Sequence, residues 1–355
     1  MITKENLQKL QDFLGANEAA LILSEPNRFY LTGFPSSDGF CLVTKTERLF
    51  YTDSRYIEAA KHAVTFFEVR QEDGARDKLL AELFASLSVK TLHIEAAQMT
   101  VSTFRRLQKL IPLDDSGELD RLLLSFRAVK TAEEISCIER AAQISEKAFT
   151  ELLPTICEGQ TERELAAKLE YLMKTNGGDG LAFETIAVTG HNSSKPHGVP
   201  GDTKVQSGDF ITFDFGATYQ GYCSDMTRTV AVGKITDEMK TVYETVLAAQ
   251  KAGLSAIRAG AKCDEVDAVS RRIIADAGYG TCFGHGLGHA VGIEIHESPR
   301  LSPRCKDTLK AGMIVTCEPG IYLAGKFGVR IEDTVLVTEN GCRPLHKVTK
   351  ELIIL

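Results

Sequence analysis

At 355 residues the chain has room for two domains of ordinary size, and 43% hydrophobic with 25% charged residues describes a soluble globular protein. A net charge of −7, with no basic run carrying interleaved aromatics, excludes a general nucleic-acid binder. The opening Met1-Ile-Thr-Lys-Glu-Asn-Leu starts an amphipathic helix without a signal-peptide core, and no stretch is long enough to span a bilayer. Nine scattered cysteines, odd in number and without a Cys-x-x-Cys pair, fit reduced core thiols of a cytoplasmic protein.

In chain order, residues 3–14 read as a helix, 20–23 as a strand, and 40–44 with 48–52 as a hairpin. Helices are predicted over 54–62, 75–87 and 100–110, with strands 66–70 and 91–95 between them. Such alternation argues for a sheet flanked by helices. Residues 33–40, rich in turn formers, read as a loop joining two apolar strands, with Asp38 at its tip. A boundary near residues 113–120 divides the chain into 1–124 and 125–355. Beyond it, Thr131 and Glu134 form a capping box opening a helix over 131–153. Helices at 161–176, 236–258 and 263–277 then alternate with strand-rich segments.

Those strand-rich segments carry the chemistry. Asp214 sits in the apolar run Phe210-Ile-Thr-Phe-Asp-Phe, where a lone buried charge costs several kcal/mol unless it has a partner. A hairpin closing at Tyr219-Gln220 would set it directly opposite Asp225. Two bare carboxylates that close repel each other, and a pair of divalent cations removes the cost because both can share carboxylate ligands. Downstream, Gly284-His-Gly-Leu-Gly-His supplies His285 and His289, and His296 follows. A second hairpin turning at Gly325 would place Glu318 opposite Glu332. Four carboxylates and one imidazole make a hard, oxygen-rich set suited to manganese, cobalt or zinc.

The order Asp, Asp, His, Glu, Glu, with the first pair eleven residues apart and the last pair fourteen, resembles the pita-bread metallopeptidases. That family includes methionine aminopeptidase, aminopeptidase P and prolidase. Asn27-Arg-Phe-Tyr-Leu-Thr-Gly-Phe and Tyr51-Thr-Asp-Ser-Arg-Tyr resemble the creatinase-type N-terminal domain found in the prolidase and aminopeptidase P branch. The implied fold is an α/β N-terminal domain followed by a catalytic domain with a curved antiparallel sheet backed by helices. By the same resemblance, two divalent ions, manganese foremost, are held by Asp214, Asp225, His289, Glu318 and Glu332, with Asp225 and Glu332 bridging. His197 and His296 match histidines that steady the reacting carbonyl, and Glu318 matches the proton carrier. His285 has as good a claim to packing as to substrate contact. Thr227 and Arg228 are candidates to support the carboxylates.

The implied activity is hydrolysis of Xaa-Pro bonds, foremost in dipeptides. Arg300 matches an arginine that contacts the product carboxylate in prolidases, and Arg330 one common to both branches. Aminopeptidase P, which acts on longer Xaa-Pro chains, is the alternative. A third reading is a silent peptide-binding module, whose mark is lost ligands, and none is lost here. The resemblance further implies a homodimer in which the loop carrying Asp38 approaches the partner's cleft.

Overall fold

A computed structural model describes residues 2–355. The chain divides into two compact units between Arg127 and Ala128.

The first unit is built on a six-stranded sheet. Its strands are β1 (Glu18–Ile22), β2 (Phe40–Thr44), β3 (Arg48–Thr52), β4 (Glu68–Gln71), β5 (Thr91–Ile94) and β6 (Leu113–Asp114), in spatial order β4-β3-β2-β1-β5-β6. The β1–β2 and β2–β3 pairs are antiparallel and the rest parallel. Helices α1 (Lys4–Phe13), α2 (Glu25–Thr32), α3 (Ile57–Ala63), α4 (Arg76–Ser86), α5 (Val101–Leu107) and α6 (Glu118–Ala128) complete it.

Two of these helices depart from the sequence reading. The chain before the 33–39 loop is the helix α2, not a strand, with Pro26 in its first turn and Gly33 ending it at φ 69°. Its helical period is masked because Asn27, Arg28 and Thr32, polar residues, are buried along with Tyr30 and Leu31. Asp38 in the loop is ion-paired to Arg76 of α4 at 2.7 Å. α6 occupies what reads as a boundary, burying Leu119, Leu123 and Phe126 on one face.

In the second unit, α7 (Ala132–Leu152) and α8 (Glu162–Thr175) each open on a capping box, Thr131 with Glu134 and Thr161 with Glu164. Strands β7 (Gly180–Leu181), β8 (Ile186–Thr189), β9 (Phe210–Phe215), β10 (Ala217–Tyr219), β11 (Tyr222–Cys223) and β12 (Met226–Ala231) follow. Helices α9 (Asp237–Ala256) and α10 (Cys263–Asp276) precede β13 (Gly288–Ala290), β14 (Glu297–Leu301), β15 (Ile314–Cys317), β16 (Gly320–Leu323), β17 (Phe327–Arg330), β18 (Asp333–Thr338) and β19 (Gly341–Pro344). The strands form four short antiparallel ladders: β11-β10-β7, β12-β9-β8, β14-β13-β15-β18-β19 and β16-β17. Phe213 and Phe215 pack with Phe149 of α7 and Leu165 of α8 in one core, while Val242 and Val246 of α9 join Val315 and Val335 in another.

The first ligand hairpin turns one residue later than Tyr219-Gln220. Gln220 and Gly221 both take positive φ, 48° and 77°, in the two-residue turn that matches strand twist. Asp214 therefore faces Thr227, and Asp225 falls between β11 and β12. The register is displaced by two, so Asp225 is a diagonal neighbour of Asp214 and not its direct partner. Because side chains alternate with period two, such a slip keeps both carboxylates on one face. In the second hairpin, Cys317 pairs with Asp333 and Gly320 with Arg330, so Glu318 and Glu332 stand opposite each other between the two ladders.

The capping box that opens α7 is testable by itself. Thr131→Ala removes the acceptor of the Glu134 amide at 3.3 Å and should lower unfolding stability by about 1 kcal/mol, read as an earlier urea midpoint with an unchanged m-value.

Candidate metal centre

A cleft of about 550 Å³ opens in the second unit, and all ten site residues expected from the sequence line it. One carboxylate oxygen each from Asp214, Asp225 and Glu332 lie within 4.8 Å of one another. His289 Nε2 stands 3.5 Å from Asp225 Oδ2 and 3.3 Å from Glu318 Oε1. Five side chains from separate strand segments thus converge on one small volume.

That volume is electrostatically costly without cations. Burial raises the carboxyl of Asp225 well above the usual range, with Glu332 and Asp214 adding repulsion. Burial does the same to Glu332, reinforced by Glu318, and pushes Glu318 up to about 8. Asp214 Oδ1 and Glu332 Oε1 are buried without a hydrogen-bond partner among the described residues. Orphaned carboxylate oxygens and mutually repelling acids are what divalent cations would satisfy, so the donor set fits the metal that the sequence implies.

The histidine is prepared for the same task. Burial and the neighbouring His296 hold His289 down to about 4, which keeps the ring neutral. Its Nδ1 lies 3.1 Å from the Ala290 carbonyl, where a donated proton leaves the Nε2 lone pair facing the carboxylates. The strand that carries it packs too closely for any side chain before it. A Cβ on Gly288 would lie 2.1 Å from the Thr316 carbonyl oxygen. Thr316 accepts from the His289 amide at 3.0 Å and donates to Glu318 Oε1 at 3.1 Å, tying the two together.

Thr227 performs the supporting role expected of it. Its hydroxyl donates to Glu332 Oε2 at 2.7 Å and accepts from Arg330 Nε at 3.1 Å. Arg330 lines the cleft, but its guanidinium is committed to protein partners: Asp214 Oδ2 at 2.6 Å, the Tyr322 hydroxyl at 2.8 Å and the Pro196 carbonyl at 3.2 Å. Arg228 works from behind, donating to the carbonyls of Thr227 and Glu332 and pairing with Asp333 at 2.8 Å. The Thr334 hydroxyl donates to the Asp225 carbonyl at 2.7 Å.

The remaining wall is less constrained. His285 Nε2 meets the Tyr322 hydroxyl at 2.9 Å, and burial pushes this imidazole down to about 4. β14 alternates buried and exposed residues, so Arg300, the cross-strand partner of His289, faces outward into the cleft. The ring of His296 stands 4.4 Å from that of His289. Thr316 and Tyr322 escaped sequence reasoning. Thr316 was findable, because it lies two residues before Glu318 and so shares its strand face.

The family model for metallopeptidase family M24 matches residues 136–339. The chain belongs to this family. Residues 6–129 match the creatinase/prolidase N-terminal domain. An Xaa-Pro dipeptidase of Pyrococcus horikoshii is 39% identical, with 99% of each chain covered. A solved structure of an Xaa-Pro dipeptidase from Bacillus anthracis superposes with a TM-score of 0.93 at 38% identity, covering 99% of this chain and 98% of that one. An X-Pro aminopeptidase from Thermotoga maritima is also 38% identical, with a TM-score of 0.89 over 98% of this chain and 100% of its own. As an M24 member, the chain is a metal-dependent peptidase.

Two outcomes follow from the crowding. Glu318 ionises near 4.5 when unfolded and near 8 when folded without metal, so the native state holds the extra proton between those values. The contribution of Glu318 to the stability of the metal-free protein should therefore fall as pH rises through that window, and manganese should flatten the fall. The buried neutral histidines act in the opposite sense, so the check compares thermal melting of chelated wild type and Glu318→Gln at pH 5 and pH 8; the same pH shift in both would contradict it. Gly288→Ala should displace β13 and weaken manganese binding at least tenfold in a calorimetric titration, because the methyl collides first with the Thr316 backbone carbonyl, which cannot rotate away.

Proposed function

We propose that this enzyme hydrolyses the bond between a first residue and proline, with dipeptides as its substrates. The observation that carries the reading is the placement of Arg300, His197 and His296 in the same cleft as the convergent carboxylates. Two divalent cations, manganese in preference to cobalt or zinc, would supply an activated water near neutral pH and polarise the peptide carbonyl. Asp214, Asp225, His289, Glu318 and Glu332 would hold them. Glu318 would take a proton from that water and return it to the departing proline nitrogen. His296 and His197 donate hydrogen bonds to the carbonyl oxygen as charge develops there. Arg330 and Thr227 keep Asp214 and Glu332 fixed while this happens.

Proline has a fixed φ and no amide hydrogen, which suits a cleft whose lining includes the apolar Ile186, Val199 and Ile295. A free dipeptide carboxylate in reach of the Arg300 guanidinium completes the fit. Further parts of the reading are a homodimer, the commonest assembly of soluble enzymes, in which the Asp38 loop limits substrate length at the partner's cleft, and residence in the reducing cytoplasm. Nine free cysteines agree with that compartment.

Chelation should abolish turnover of Ala-Pro and Leu-Pro, and manganese should restore it, whereas Ala-Ala and Leu-Ala should be poor substrates throughout. Activity in rigorously metal-free protein would refute the assignment. Arg300→Ala should raise KM for Xaa-Pro by about ten- to a hundred-fold, with less effect on kcat. If KM is unmoved and Xaa-Pro-Yaa tripeptides are cleaved as well, the enzyme is an aminopeptidase P.

A further inference from the structure

The cleft contains one carboxylate that neither the metal centre nor its supports employ. Glu184 lines it, is exposed, and has no ion pair or hydrogen bond recorded among the described residues. Every other acidic residue of the lining belongs to the ligand set. Its position is produced by a change of register. Leu181 pairs with Ala217 and the Ala182 amide donates to the Gly216 carbonyl at 2.8 Å, yet Ile186 already pairs with Asp214. Four steps on one strand therefore face two on the other, and residues 183–185 must bulge out of the ladder. A flat strand turns alternate residues to opposite faces, but here Phe183, Glu184 and Thr185 all line the cleft. A second observation points to a ligand at the same place. Thr185 is buried, and its hydroxyl has no hydrogen-bond partner among the described residues. A buried hydroxyl left alone is a standing cost that a polar substrate group would relieve.

We propose that the bulge at Phe183-Glu184-Thr185 is a recognition element for a cationic side chain on the first residue, so that Lys-Pro and Arg-Pro are preferred substrates. This rests on the Xaa-Pro reading above. Glu184 lies two residues from Ile186, the partner of Asp214, a reach of at most about 7 Å along an extended chain. The substrate's α-ammonium sits two bonds from the carbonyl under attack, beside the metal ligands themselves. A lysine ammonium sits at the end of a four-carbon stem and can cross the intervening distance. The ring of Phe183 offers that stem an apolar surface to lie along, while the carboxylate meets the head.

The test compares kcat/KM of the manganese-loaded enzyme on Lys-Pro, Nε-acetyl-Lys-Pro and Leu-Pro. Wild type should favour Lys-Pro over its acetylated form, and Glu184→Gln should reduce the Lys-Pro to Leu-Pro ratio about tenfold. Glu184→Lys should move preference towards Glu-Pro. Ratios within one preparation cancel any loss of folded enzyme. An unchanged ratio in Glu184→Gln overturns the proposal. So does an equal loss on all three substrates, which would mean that Glu184 reads the α-ammonium. Absence of any Xaa-Pro turnover in wild type would instead defeat the underlying reading, and this inference with it.

Discussion

Four carboxylates share a volume from which water is largely withdrawn, and they cannot all be charged there by themselves. Most of the second unit can be understood as the scaffold that enforces this crowding. Two hairpins, one through Asp214 and Asp225 and one through Glu318 and Glu332, bring acids together that would separate if the chain were free. Aromatic and β-branched residues in β9 and β15 bury their backbones. Proton uptake relieves the repulsion without metal, and cations relieve it with metal. The same crowding that makes the site costly when empty is what would favour divalent ions there.

The supports around the site divide into two groups. Thr227, Thr316 and Arg330 touch carboxylates of the cluster directly. Arg228 lies one layer behind, donating to the backbone carbonyls of Thr227 and Glu332 while Asp333 anchors its guanidinium. Arg228 also donates to the carbonyls of Val348 and Thr349, and Lys350 pairs with Asp333 at 2.7 Å. The buried charge of Asp333 is therefore matched twice, as a buried acid must be if it is to stay ionised; its carboxyl is held below the usual range despite burial.

Much of this was legible in the sequence, for particular reasons. An aspartate inside Phe-Ile-Thr-Phe-Asp-Phe is a local contradiction that only a partner resolves, and ordered ligand spacing then names the family. The register of the second hairpin was readable because Gly325 marks its turn, at φ 74°. The first turn was misplaced because Gln220 takes a positive φ that its side chain rarely adopts. α2 was missed because its buried face contains polar residues such as Asn27, whose partner Glu95 lies 68 residues away and cannot be read from the local sequence. The commitments of Arg330 were illegible for the same reason: Pro196, Asp214 and Tyr322 come from three different parts of the chain.

The spread of the ligands has a kinetic meaning. Asp214 and Glu332 are separated by more than one hundred residues, and the histidine lies between them on another strand. In the unfolded chain, bringing such distant groups around one ion means closing long loops before any packing rewards it. Ladder formation therefore comes first, and the acids meet only once the hairpins that carry them have closed.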